Sequence, residues 1–136
     1  MTALSISGGC VIDPIGGTTE PGEITCADEK MCTTAADGAQ QIDASGLHVA
    51  PGIIDLGAFG VDIPACIAGG ITRVALMPDQ SPAIDEPAMV QHAAAAGKPS
   101  LWIHPIGAAT FGLKGDEIAE FGLMKRAGAV AVSTGR

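Results

Sequence analysis

Four short, nearly continuous apolar runs recur after Pro51, at residues 52–56, 71–77, 100–106 and 129–133. Runs without polar alternation are expected of strands covered on both faces. The stretches between them are amphipathic and rich in alanine, so the alternation predicts an α/β fold of repeated βα units around a parallel sheet. Before residue 48 the texture differs. Gly, Thr and Asp are frequent there, and pieces such as LSISGGCVID and GEITCADEK alternate with the turn pairs Gly16-Gly17 and Asp37-Gly38, which predicts a small strand-rich segment.

The connections can be read as well. Between the second and third runs, Ser81 or Asp85 can cap a helix that carries Met89, Val90, His92 and Ala93 and ends at Gly97. Between the third and fourth, residues 115–127 are expected to form a helix that turns Ile118, Phe121 and Leu123 or Met124 to the sheet. Asp116 and Glu117 would stand in its first turn, Lys125 and Arg126 in its last, and Gly128 would stop it. The first crossover contains Pro64 and has room for barely two helical turns.

Composition excludes several function classes. With 7 Lys+Arg against 15 Asp+Glu the formal net charge is −8, and no basic stripe exists that could neutralise a nucleic-acid backbone. No apolar run approaches the roughly 20 residues that span a bilayer. The 47% hydrophobic content over 136 residues suffices for a core. Cys10, Cys26, Cys32 and Cys66 match neither zinc-module spacing nor a disulfide framework and are read as free thiols of a cytoplasmic protein. The start, MTALSISGGC, places Cys10 as a lipoprotein signal would, but it lacks a positive n-region and a long apolar h-region.

Taken in order, GGCVIDP, IDASGLHVAPGIIDL, GGITRVALMPDQSP and HPIGAATFGLKGDEIAEFGLMKRAGAVAVSTG resemble the first third of dihydroorotases in the amidohydrolase superfamily, with allantoinases and hydantoinases close by. The resemblance implies part of a small β-sandwich over residues 1–50, followed over residues 51–136 by the first half of a (β/α)8 TIM-type barrel. It also implies metal-dependent hydrolysis of a cyclic amide, dihydroorotate, in pyrimidine synthesis, with zinc as the metal of catalytic relatives.

The same resemblance shows where this sequence departs. In the family the first barrel strand ends Asp-x-His-x-His, and alternate residues on one strand bring both imidazoles to one ion. Here Asp55 matches the aspartate, while the histidine positions fall on Gly57 and Phe59. The fourth strand of relatives ends in an acidic stretch or a carboxylated lysine; here it reads Ser133, Thr134, Gly135 and Arg136, with Thr134 at the ligand position. The loop after the first strand, which helps hold the substrate carboxylate in relatives, is shortened to GVDIPACIAGG.

The expectation is therefore a degenerate, truncated homologue, inactive as this chain alone. No catalytic residue, metal ligand or cofactor is assigned, and substrate-binding residues stay open. Asp55 is read as a remnant that serves as a strand-end acceptor. His104 is the remaining ligand candidate; with no second ligand beside it, a polar residue satisfied next to Pro105 is the simpler reading. His48 and His92 are read as structural or exposed, Asp79 as the start of a turn before Pro82, Gly69-Gly70 as a tight turn, Lys114 as a solvated loop residue, and Cys66 as a thiol without a base. Four βα units make half a barrel with an unpaired edge, so the chain is expected either to be part of a longer protein or to need a second chain. That chain would be another copy in a homo-oligomer or, for a non-catalytic homologue, aspartate transcarbamoylase. A third reading is a longer enzyme with a mononuclear site whose ligands lie beyond Arg136.

Overall fold

A computed structural model of the chain describes residues 3–34 and 37–136; Met1 and Thr2 of the leader-like start, and Ala35 and Ala36, lie outside the described residues. The chain divides into two compact units, Met1–Pro51 and Gly52–Arg136.

In the first unit, β1 (Leu4–Asp13) and β2 (Thr18–Ala27) form an antiparallel hairpin, and Asp13 closes its turn by accepting the Ile15 N–H at 2.9 Å. Strand β3 (Lys30–Cys32) returns along β2 through Asp28 and Glu29, which both take positive φ, as a tight primed hairpin turn requires. Strands β4 (Gln40–Asp43) and β5 (His48–Val49) lie parallel to β1. The β1 register slips between Ile6 and Gly9. A Cβ on Gly9 would stand 2.9 Å from that of Ala44, so a glycine is needed for this approach. Cys10, the residue a lipid anchor would use, lies within β1. Among the described residues of this unit, the buried side chains are small: Ser5, Thr25 and Ala44. Ser5 donates to Glu23 at 2.6 Å, and Thr25 donates to the Cys32 carbonyl, so the polar groups are satisfied where they are covered.

The second unit is the predicted parallel sheet, curled into a half-barrel in the order β6 (Ile53–Ala58), β7 (Ile71–Leu76), β8 (Trp102–Ala108), β9 (Ala131–Ser133). Helix α1 (Ile63–Ala68) is short; Asp62 caps it by accepting the Ala65 N–H at 3.1 Å, and Pro64 falls in its first turn, where a missing N–H costs nothing. Gly70, at φ 74°, turns the chain back into β7. Val74, Leu76 and Ile103 of the two central strands point to one face. There they meet Ile84, Leu101, Val90 and Ala93 of α2 (Pro87–Ala96) and Met124 of α3 (Phe121–Ala127). Gly107 lets α3 sit close, since a Cβ there would lie 2.9 Å from the Met124 sulfur. No helix among the described residues is long and apolar enough to cross a membrane.

Several expectations are corrected. The helix expected over residues 115–127 begins only at Phe121, because the preceding backbone is bonded elsewhere. Ile118 bridges Thr110, the Phe111 N–H donates to the Glu117 carbonyl, and Ala119 donates to Ala109. Gly112, Leu113 and Gly115 all take left-handed φ, which no helix can absorb. Asp116 and Glu117 are thus outside α3, Ile118 is exposed, and only Lys125 and Arg126 occupy the helix end as expected. Neither Ser81 nor Asp85 caps α2. Its cap residue is Glu86, and the Asp85 carboxylate instead accepts the Gly112 N–H at 2.7 Å. The third and fourth strands begin two residues later than expected, at Trp102 and Ala131. Burial on both strand faces does not hold either: Ile53, Ile54 and Leu56 of β6 and Val132 of β9 are exposed on edge strands with a neighbour on one side only among the described residues, and Arg73 of β7 and Trp102 of β8 are exposed on the face opposite the helices.

Candidate functional site at the strand ends

Parallel βα units gather functional side chains where the strands run out into the loops. In this unit that rim is formed by the ends of β6, β7 and β9. Within β6, and not at its end as expected, Asp55 turns back on its own backbone: its Oδ1 accepts the Gly57 N–H at 3.0 Å. Gly57 is exposed, with nothing within 4 Å of where a Cβ would stand. Phe59 follows, and the side-chain amide of Gln80 donates to its carbonyl at 3.2 Å and to that of Met77 at 3.0 Å, tying the ends of β6 and β7 together.

The far side of the rim comes from the residues after β9. Arg136 sets its guanidinium 4.1 Å from the centroid of the Phe59 ring. Its backbone N–H donates to Asp79 Oδ1 at 2.8 Å, and its Nε lies 3.9 Å from the same oxygen. The second oxygen, Oδ2, is buried with no hydrogen-bond partner among the described residues. Gly135, at φ 76°, makes the turn that allows this, and a Cβ there would come within 2.9 Å of Asp79. Thr134 is exposed. The rim thus brings together two of the motif positions, Phe59 and the Ser133–Arg136 end, through an arginine on an aromatic face.

The other sequence candidates lie apart from it. His104 sits on β8, where its Nε2 accepts from Arg73 Nη1 at 3.1 Å, so the lone pair a metal would use is engaged by a cation. His92 lines a cavity of about 330 Å³ beside Val61, Ile63, Ile84 and Met89, which Gln80 of the rim also lines. Lys114 is exposed in its loop. Among the described residues, no three His, Cys, Asp or Glu side chains come together in a way that could hold a metal ion. Sequence reasoning missed the Asp79–Arg136 pair, which spans 57 positions of chain, and gave Asp79 only a turn. The usable signal was placement: Asp79 follows the end of β7 and Arg136 the end of β9, and parallel strands bring such ends to one rim.

Comparison with known proteins agrees with this architecture. No family model matches the chain. The dihydroorotase of Pelotomaculum thermopropionicum is 40% identical over 147 residues, a match covering 96% of this chain and 34% of that enzyme. The dihydroorotase of Syntrophotalea carbinolica is 38% identical over 150 residues, with 96% and 35% covered. The chain therefore spans about a third of the length of the curated relatives it matches. Among solved structures, the L-hydantoinase (dihydropyrimidinase) of Arthrobacter aurescens superposes with a TM-score of 0.73 at 22% identity, covering 97% of this chain and 32% of its own, a likeness of fold. By sequence and by fold, the chain is a dihydroorotase-like member of the amidohydrolase superfamily.

Proposed function

We propose that these residues form a non-catalytic dihydroorotase-like wall, which does not by itself hydrolyse a cyclic amide and works by assembling with a second polypeptide. One observation carries the reading: where the resemblance expects metal ligands, the rim holds Gly57, Phe59 and Thr134, and the Arg136 guanidinium lies 4.1 Å from the Phe59 ring. The donor set does not fit zinc. Glycine and phenyl offer no lone pair, the Asp55 carboxylate accepts from the backbone of its own strand, and a guanidinium on the rim repels a divalent cation.

Assembly is supported by the exposed apolar residues of the two edge strands, Ile53, Ile54, Leu56 and Val132. Parallel strands are ordinarily covered on both faces, and exposed apolar patches beyond a few hundred Å² mark interaction surfaces. The partner is a second copy of the chain or, as for degenerate members of the resembled family, aspartate transcarbamoylase.

The test is elemental analysis after dialysis, coupled to a dihydroorotate assay. Sub-stoichiometric zinc and no turnover are expected, and the double substitution Gly57→His, Phe59→His should leave turnover at the metal-free background, because two imidazoles alone do not hold a metal in working geometry. Tightly held stoichiometric zinc in the unsubstituted chain would contradict the reading.

A further inference from the structure

Away from the rim, two cationic side chains lie over the chain's only tryptophan, and one of them is bonded to a histidine. Arg73 Cζ lies 5.5 Å and Lys98 Nζ 4.8 Å from the centroid of the Trp102 ring, and Arg73 Nη1 is 3.1 Å from His104 Nε2. Register explains the grouping. Arg73 stands opposite Trp102 and Ala75 opposite His104 across β7 and β8, alternating with Val74 and Ile103, which are buried on the helix side. Lys98 reaches the same ring from the connection between α2 and β8.

No carboxylate among the described residues pairs with these charges. The one ion pair among the described residues joins Arg136 to Asp79, so neither Arg73 nor Lys98 has a carboxylate partner there. A cation over an exposed indole gains only about 0.5–1 kcal/mol and keeps its full charge. In a chain of formal charge −8 with 7 Lys+Arg, two cations gathered on one ring form a local positive site against the general field.

We propose that this face of β7 and β8 binds a small oxyanion, phosphate or carboxylate, held by Arg73 and Lys98 beside Trp102. Arginine can only donate, so His104 accepts through Nε2 in its neutral form and acts as a positioning residue that fixes the guanidinium plane. The guanidinium's remaining N–H groups form the fork that matches an oxyanion, and Lys98 adds a mobile point charge.

Trp102 is the sole tryptophan and the chain has no tyrosine, so intrinsic fluorescence reports on this site directly. Inorganic phosphate titrated at constant ionic strength should give a saturable change, and acetate in its place tells whether the site prefers phosphate or carboxylate. Arg73→Gln should weaken binding about tenfold or more, the loss of a charge-assisted donor, and Lys98→Gln should weaken it a few-fold. Far-UV circular dichroism checks that Arg73→Gln folds; if it does not, the exposed Lys98 variant must still weaken phosphate. A Leu56→Ser variant, made to limit self-association, should titrate as the parent does. A response to chloride equal to that to phosphate, no saturable response to either oxyanion, or an unchanged titration when Arg73 or Lys98 is replaced in a folded chain would overturn the proposal.

Discussion

On the face that α2 and α3 cover, the central strands β7 and β8 are buried, whereas apolar residues of the edge strands β6 and β9 are exposed, as is Trp102 on the uncovered face of β8. Val74 and Ile103 are 1% and 7% exposed, whereas Ile54, Leu56 and Val132 are 54%, 79% and 43% exposed. The difference lies in the neighbours. Helices α2 and α3 cover the centre, while each edge strand has one partner among the described residues and a free row of backbone groups on its other side. An apolar run therefore reports the burial a strand is built for, and on the proposed reading the edge strands receive that burial from a second polypeptide.

The largest effects should separate the two regions. Leu101→Ala removes a fully buried side chain beside β8 and should cost about 3 kcal/mol or more in urea unfolding, whereas Leu56→Ala at the edge should cost less than about 0.5 kcal/mol. Equal losses would break the comparison. A smaller contrast is available in the glycines. Gly107→Ala places a methyl against Met124 and should destabilise by about 1 kcal/mol, while Gly57→Ala meets nothing and should stay within about 0.5 kcal/mol of the parent. A marked loss at Gly57 would mean that the rim of β6 is already covered.

How far the sequence carried the fold follows the same division. The order of the four parallel strands, the short α1 around Pro64 and the end of α2 at Gly97 were legible because they rest on local signals: apolar period, capping residues and glycine. Residues 115–120 were misread because Asp116, Glu117 and Ile118 have the right composition for a helix start, and only the bridge from Ile118 to Thr110 removes them from one. At the site, the empty positions Gly57 and Phe59 could be named from a motif. The contacts that fill the rim, Arg136 on Phe59 and Asp79 on Arg136, depend on which strand ends meet, as does the meeting of Arg73 with Trp102.

Asp79→Asn tests that rim. The pair is solvent-facing on the arginine side, so its loss should cost no more than about 1 kcal/mol and leave the core transition cooperative. The smallest expected effect lies in the first unit, where hydrogen bonds do what burial does in the second. The Ser45 hydroxyl and then its backbone N–H hold the Asp43 carboxyl below its ordinary pKa. Its contribution to stability is thus present above the ordinary carboxylate pKa and is lost as pH falls through the lowered value. In an NMR titration, Ser45→Ala should move the Asp43 midpoint upward; no movement would remove Ser45 as the cause.

The most direct test of the central claim is the solution mass of the 136-residue chain by light scattering, read together with hydrophobic-dye binding and thermal unfolding. Edge strands built for cover predict a species heavier than the 13.5 kDa chain, or dye binding by whatever monomer remains, and a shift towards monomer when Leu56 and Val132 are both replaced by serine. A sharp 13.5 kDa monomer that unfolds cooperatively and binds no dye would contradict it.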